Sequence, residues 1–375
     1  MTKSFLGLTD LKLLIALQEQ PTAPYSSLAE KVSLSPQTVS HRLQRLRERG
    51  HGEVKAILDG DALNFEYVNV LLEVPSLDKI PIIETFAKNY PYVRYRSRCF
   101  GGFNGVYLQF RIPKGSRDAI FDVLERLKGA GLIRKKYEIP TIGRSIYTKP
   151  QLAFWNPEDL EWEFSWFEWM NGEPSEANSS FDKNKLAEKA RRDVILDKLD
   201  YIDLYILRHL TIDARQKQRQ ITKEVNKGTS SQIPPQRISE RLRFLMEHAV
   251  RDYKVLIKWS VLDIYNTVLF LCETSPSTVE DFKKQLIENP PPFATTFYTT
   301  TNGFMWVITS PSSHLSGLTS ILTEKVSALS LNILDTRHTR LYWFRPENYD
   351  QETKNWKISE AFMIDKPLAS IGIGM

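Results

Sequence analysis

Two short stretches of the 375-residue sequence concentrate side chains able to read another molecule's hydrogen-bonding pattern, 36–49 and 235–248. Placed on a helix of period 3.6 with Val39 as origin, Leu43 and Leu46 fall within about 40° of it and form an apolar stripe. Gln37, Thr38, His41, Gln44 and Arg45 then face away. In the second stretch Ile238, Leu242 and Leu245 make the stripe, while Gln236, Arg237, Glu240, Arg243 and Phe244 face outward. In a DNA major groove a Gln amide pairs bidentately with adenine and an Arg guanidinium with guanine, each worth ~1–3 kcal/mol of discrimination. A carboxylate at Glu240 accepts from a cytosine amino group or repels phosphate. The candidate set for DNA contact is Gln37, Thr38, Ser40, His41, Arg42, Gln44, Arg45, Arg49 and Lys55, then Gln236, Arg237, Ser239, Glu240, Arg241, Arg243 and Lys254. Among the flanking bases, Arg47, Arg49, Lys55, Arg251 and Lys254 suit phosphate contacts, which position a protein without specifying sequence. The blander alternative is a solvated helix face used for protein contacts. Because the two outward sets differ, an asymmetric site is expected, unless two chains pair first helix to first helix.

Constellations for catalysis are missing. The six histidines (His41, His51, His209, His248, His314 and His338) show no HExxH pattern, and no Gly-rich phosphate loop or GxSxG elbow is present. No catalytic group, metal or cofactor is therefore expected, and the chain reads as a non-enzyme. Cys99 and Cys272, 173 positions apart, offer neither metal nor redox spacing and read as reduced and structural. The first residues lack a basic segment followed by an apolar stretch, and apolar runs such as Val268 to Cys272 fall far short of the ~20 residues that a membrane span needs. The expected setting is cytoplasmic and nucleoid-associated, without membrane contact.

Fifty Lys plus Arg against 45 Asp plus Glu leave a net +5, too mild to identify a partner. Along the chain the charge segregates. Residues 35–51 and 212–228 each carry a net +3, whereas 156–173 hold six acids and no base. That distribution suits a protein with one face turned to phosphates.

Something must position these stretches, and an internal repeat supplies it. Shifted by 199 positions, PQTVSHRLQRLRE (36–48) lands on PQRISERLRFLME (235–247) with seven of thirteen residues identical, and Lys55 meets Lys254. At an offset of 198, NGVYLQFRIP (104–113) lands on NGFMWVITSP (302–311). FWNPEDLEW (154–162) likewise resembles the aromatic, Pro-Glu and Trp pattern of 342–356. Several segments that keep nearly one offset in one order read as a tandem duplication.

Each half then yields the same elements. Leu8, Leu11, Leu14, Ile15 and Leu17 space out a first helix that Pro21 and Pro24 end; Ser27 to Glu30 is a capping-box pattern opening a second; Ser35 with Pro36 caps a third. A β run at 54–58, taken as part of a trailing hairpin, completes a winged helix-turn-helix. Strands at 67–74, 93–99, 106–112 and 132–139 with helices at 80–89 and 117–127 follow in the order βαββαβ, the ferredoxin-like unit, and 267–337 repeats it. The fold class is thus α+β, two winged helix-turn-helix domains each followed by a ferredoxin-like βαββαβ domain. The expected boundaries are 1–65 and 66–169 in the first half, with a Trp-rich extension, a linker at 170–196, then 197–264 and 265–375. Trp162 to Trp169 are expected to pack on their own domain, with an effector pocket or partner surface as alternatives.

The stretches 8–58, 199–226 and 234–257, followed by βαββαβ, resemble the Lrp/AsnC, or feast/famine, transcriptional regulators of bacteria and archaea. The resemblance implies a sequence-specific regulator of double-stranded DNA, with recognition helices 36–49 and 235–248 in major grooves. It implies an association as a homodimer, or within one chain as a pseudo-dimer. It also implies a small-molecule effector at the glycine-rich turns, here Gly101, Gly102 and Asn104 in one half and Asn302 and Gly303 in the other, where Asn stands in place of the family's acid. One alternative is an architectural or general transcription factor of low sequence specificity. Another is an enzyme like the siroheme decarboxylases, which resemble Lrp/AsnC proteins in both domains.

Overall fold

The computed structural model describes residues 6–172, 192–229 and 232–374. Most of the expected linker, residues 173–191, lies outside the described residues. The first half opens with α1 (Leu8–Glu19), α2 (Tyr25–Val32) and α3 (Pro36–Glu48). α3 starts where its chemistry demands: the Ser35 side chain accepts the Thr38 backbone N–H at 3.1 Å, and Pro36 fills the first helical position, where no donor is needed. α2 differs from expectation. It begins at Tyr25, two residues before the Ser27 pattern, because Pro24 already holds the extended conformation that a helix entry requires.

Strand β1 (Glu53–Leu58) does not turn back into a hairpin of its own. The rest of the half comprises β2 (Phe65–Glu73), α4 (Ile80–Asn89), β3 (Val93–Gly101), β4 (Gly105–Pro113), α5 (Arg117–Gly129), β5 (Lys135–Ile139) and β6 (Thr141–Thr148), then short β7 (Trp155–Asn156), β8 (Glu161–Trp162) and α6 (Trp166–Met170). The same order returns in α7 (Tyr201–Ile212), α8 (Gln218–Thr229), α9 (Pro235–His248), β9 (Val250–Leu256), β10 (Asn266–Glu273), α10 (Pro276–Glu288), β11 (Ala294–Thr300), β12 (Gly303–Ser310), α11 (Ser312–Lys325) and β13 (Ala328–Leu334). Two-residue strands β14 (Arg340–Leu341), β15 (Tyr349–Asp350) and β16 (Asn355–Trp356) and the short α12 (Lys366–Ala369) close the chain.

The halves are interlocked rather than strung in series. β1 pairs antiparallel with β9, so each half contributes one strand to a shared ribbon. In that ladder Lys55 sits directly opposite Lys254, its equivalent at the offset of 199, which puts a local two-fold axis through this pair. The ferredoxin-like strands run β5-β2-β4-β3 and β13-β10-β12-β11, and β3 pairs with β13 to make one antiparallel sheet. β6 follows β5 after Pro140 yet pairs with β11 at the other end, so the sheet curls round on itself. Its inner face is closed by Leu71, Cys99, Tyr107, Leu269, Tyr298 and Met305.

Two further cores cross between the halves. One joins α1, α2 and α3 through Leu13, Leu14, Val39, Leu43 and Leu46 to the second ferredoxin-like unit, including Phe282, Phe293 and Trp306. The other joins Leu204, Leu207, Ile238 and Leu245 to Phe86, Phe110 and Leu124 of the first. The Trp-rich extension takes part in this exchange. Trp162, Trp166 and Trp169 are buried against Phe293 and Trp306 of the second half, and the Trp162 indole N–H donates to the Leu262 carbonyl at 2.8 Å. Reciprocally, the Trp356 indole donates to Leu63 at 2.7 Å. The expectation that these tryptophans pack on their own domain is corrected accordingly: they cover the other one. Both cysteines are free and buried, and burial pushes the Cys99 thiol up to about 12.

Candidate nucleic-acid interface

Val39, Leu43 and Leu46 lock α3 to its core by one stripe, which fixes what the opposite side shows. Gln37, His41, Gln44, Arg45 and Arg49 are exposed. Gln44 reaches only to Glu48, at 3.3 Å, a bond on solvent that a base edge can replace. Thr38 is less available, because its hydroxyl meets that of Ser35 at 2.8 Å in the helix cap. Arg42 is taken altogether: its guanidinium donates to Asp10 of α1 at 2.7 Å, both side chains half-buried, and this pair clamps α3 to α1. Arg47 faces Asp213 of the second half at 3.6 Å and ties the halves together.

Burial explains a histidine near the end of α3. His51 is buried, and its Nδ1 accepts the Lys258 backbone N–H at 3.2 Å. Burial first, then Lys258 and Arg49, hold it below the ordinary imidazole value, so it is a neutral packing residue.

α9 presents a thinner face. Gln236, Arg237, Glu240 and Arg243 are exposed and Ser239 half-buried, but Gln236 donates to Glu240 at 3.2 Å and Arg237 to Asp200 at 3.2 Å. Arg241 is structural. It binds the fully buried Asp203 through two nitrogens, at 2.7 and 2.5 Å, and Asp203 forms a reciprocal capping box with Asp200 at the start of α7. Burial pushes the Asp203 carboxyl up, with Arg241 opposing it.

Lys55 and Lys254, expected at phosphates, point elsewhere. Lys55 is buried with its ammonium 4.2 Å from the centre of the Trp343 ring. Burial, then Arg94 and Lys55, pull Lys254 down to about 8. Strand alternation explains the miss: a one-residue choice of face sends a side chain outward or under the ribbon, and the ribbon itself was not foreseen. The glycine-rich turns also have a packing role. A Cβ on Gly101 would lie 2.6 Å from the Leu331 carbonyl oxygen, and one on Gly303 2.1 Å from that of Cys272, so these glycines admit neighbouring strands. The Asn104 side chain accepts the Gly101 N–H at 3.4 Å, and the Asn302 carbonyl accepts the Thr274 N–H at 3.0 Å, both within the fold.

Among the described residues no group of three or more His, Cys, Asp or Glu could hold a metal, and no helix is long and apolar enough to cross a membrane. Sequence reasoning passed over Arg94 and Arg111, each on a ferredoxin-like strand. A register shift between Val93 and Tyr95 breaks the alternation at Arg94 and turns it to Gln109, whose carbonyl accepts at 3.1 Å, while Arg96 and Arg98 meet Glu84 of α4. The run Arg94-Tyr95-Arg96-Ser97-Arg98, basic where a core strand should be apolar, was the available signal.

Comparison with known proteins agrees with this architecture and revises one expectation. The model of the AsnC-type helix-turn-helix domain matches residues 8–47, which are α1, α2 and most of α3. A search of curated proteins finds no match. Among solved structures, the siroheme decarboxylase NirDL in co-complex with an iron-uroporphyrin III analogue is 13% identical, with a TM-score of 0.55 over 90% of this chain and 94% of that one. NirDL alone gives 12%, 0.55, 90% and 95%. E. coli AsnC is 14% identical over 37% of this chain and 97% of its own, with a TM-score of 0.29. The expectation of a non-enzymatic chain is therefore overturned: along nine-tenths of its length the chain shares the fold of an enzyme.

Proposed function

We propose that the chain is a double-stranded-DNA-binding regulator in which α3 enters a major groove and reads bases through Gln37, His41, Gln44 and Arg45. The observation that carries this reading is the free polar face of α3 within a segment that matches the AsnC-type helix-turn-helix model. Arg49 is left for phosphate. α9 contributes through Arg243 and Ser239 and carries less of the affinity, since Gln236 and Arg237 already have carboxylate partners and Glu240 adds a negative charge toward phosphate. The crossed cores hold both helices on one interlocked body, so that one polypeptide does the work of a dimer. The duplication read from the sequence supports this arrangement.

The test is a Gln37→Ala, Arg45→Ala double variant, in competition between selected and random duplexes. Loss of two base contacts should cost about 2–6 kcal/mol of preference for the selected site, if each is worth ~1–3 kcal/mol. An unchanged specificity ratio refutes base reading by these residues. Absence of any preference in the parent protein favours the architectural alternative. A second reading, chemistry on a carboxylated tetrapyrrole, is favoured by the fold shared with NirDL. A saturable absorbance change on adding siroheme, followed by loss of carboxyl groups from it, would establish that reading.

A further inference from the structure

Beneath the shared ribbon, four cations from both halves converge with almost no carboxylate among them. Lys55 and Lys254 are directly opposed across β1 and β9, an arrangement that like charges disfavour. Arg94 lies close enough to Lys254 to depress it, and Arg111 is close to Arg94 in turn. Burial, ahead of the nearby charges, pulls Arg111 down to about 10. Lys55 has one acidic neighbour, Glu53 at 3.5 Å, on the rim of the ribbon. Arg94, Arg111 and Lys254 form no ion pair with any described residue. Asp252, the other carboxylate at this end of the ribbon, is engaged by Lys149 at 2.8 Å.

The walls around these cations are aromatic. Arg94 lies 5.2 Å from the Tyr67 ring centre, Arg111 sits between Phe65 and Phe344 at 5.2 and 5.4 Å, and Tyr147 and Tyr298 also face Arg94. All three unpaired cations are surrounded by protein yet keep partial contact with solvent. Packing aromatic rings beside charges lowers the local dielectric, which raises the cost of mutual repulsion and the gain from an incoming anion alike. Arg111 and Lys254 are held in this way at a loss to the fold, with Arg94 and Lys55 beside them, and such a cluster is what a binding site for opposite charge looks like.

We propose that Arg94, Arg111, Lys55 and Lys254 form a binding site for a small anion bearing two or more carboxylate or phosphate groups, which bridges the ribbon to the curled sheet. One anionic group would take the planar fork of Arg111 and a second the paired lysines of the ribbon. The ribbon joins the two helix-turn-helix units, so an occupied site would tie both to the sheet. The assignment stands on this cluster alone and on neither reading of the chain's activity.

The test is calorimetric titration of the full chain with citrate and, separately, with pyrophosphate, which distinguishes carboxylate from phosphate as the preferred group. Saturable binding at one site per chain is expected for one or both. It should weaken at least tenfold in Arg111→Gln and in Lys254→Met, and be unchanged in Lys283→Gln, whose lysine is on the surface beside Glu280. Lys254→Met removes a repulsive charge and should fold at least as well as the parent, so its loss of binding cannot be ascribed to unfolding. Absence of saturable binding by both anions overturns the proposal, as does binding by the Arg111→Gln and Lys254→Met variants as tight as the parent's.

Discussion

The lysine at 254 should destabilise the protein that carries it. A fall in its pKa from 10.5 to about 8 corresponds to about 3 kcal/mol, taking 1.36 kcal/mol per pH unit. The sign follows from proton counting. Between about pH 8 and 10.5 the unfolded chain holds more of this proton than the folded one, so stability rises with pH through that window. Below pH 8 the folded state bears the whole cost of an ammonium that is buried and lies beside Arg94 and Lys55; above 10.5 the cost is gone. Lys254→Met keeps the chain's volume under the ribbon and removes the charge. Urea unfolding of both proteins at a series of pH values should find the variant more stable by about 3 kcal/mol at pH 7, with the difference closing as the pH approaches 10.5. A variant less stable than the parent at pH 7, or a difference independent of pH, would refute the placement of this ammonium against the other cations. Raising the tyrosines Tyr107 and Tyr298 above their ordinary values affects both proteins equally and cancels in the comparison.

Two further outcomes separate fold from surface. Arg241→Ala leaves the Asp203 carboxylate buried without its counter-charge and should cost about 3–5 kcal/mol in urea unfolding. Arg243→Ala, two residues on at the far side of the same helix and exposed, should stay within about 0.5 kcal/mol of the parent while weakening DNA binding; equal stability losses would refute the division. Gly303→Ala places a methyl 2.1 Å from a strand carbonyl at a φ of +151°, and should cost at least about 3 kcal/mol, whereas Gly115→Ala at a φ of +83° in open space should cost only ~1–2 kcal/mol. Thermal unfolding that ranks the two the other way would show that the turn at Gly303 can open.

Much of the local structure is legible in the residues. The helix at 80–89 lies at its expected position because apolar spacing and Pro81 leave little choice, and α3 begins at Pro36 because Ser35 and Pro36 satisfy the helix entry. Strand β6 lies outside the expected elements: Thr141–Thr148 has no regular alternation, and its pairing with β11 of the other half carries a register shift. Arg42 and Arg241 occupy equivalent positions and looked like groove contacts; only the neighbouring helix, with Asp10 or Asp203 in reach, reveals each as a clamp.

What the sequence determined by itself are the features that depend on neighbours within about one helical turn or one strand: helix caps, apolar stripes, the outward set of α3 and the recurrence of one order of elements in both halves. Tertiary structure alone decided which half covers which core, that two strands form a shared ribbon instead of two hairpins, and that Lys55 and Lys254 meet Arg94 and Arg111 beneath it. The physical reason is range. Periodicity says which face of an element is apolar, but any apolar face of matching size can cover it. The choice between its own half and the other is made by the summed packing of residues 100 to 293 positions apart, such as Trp162 on Leu262 and Trp356 on Leu63.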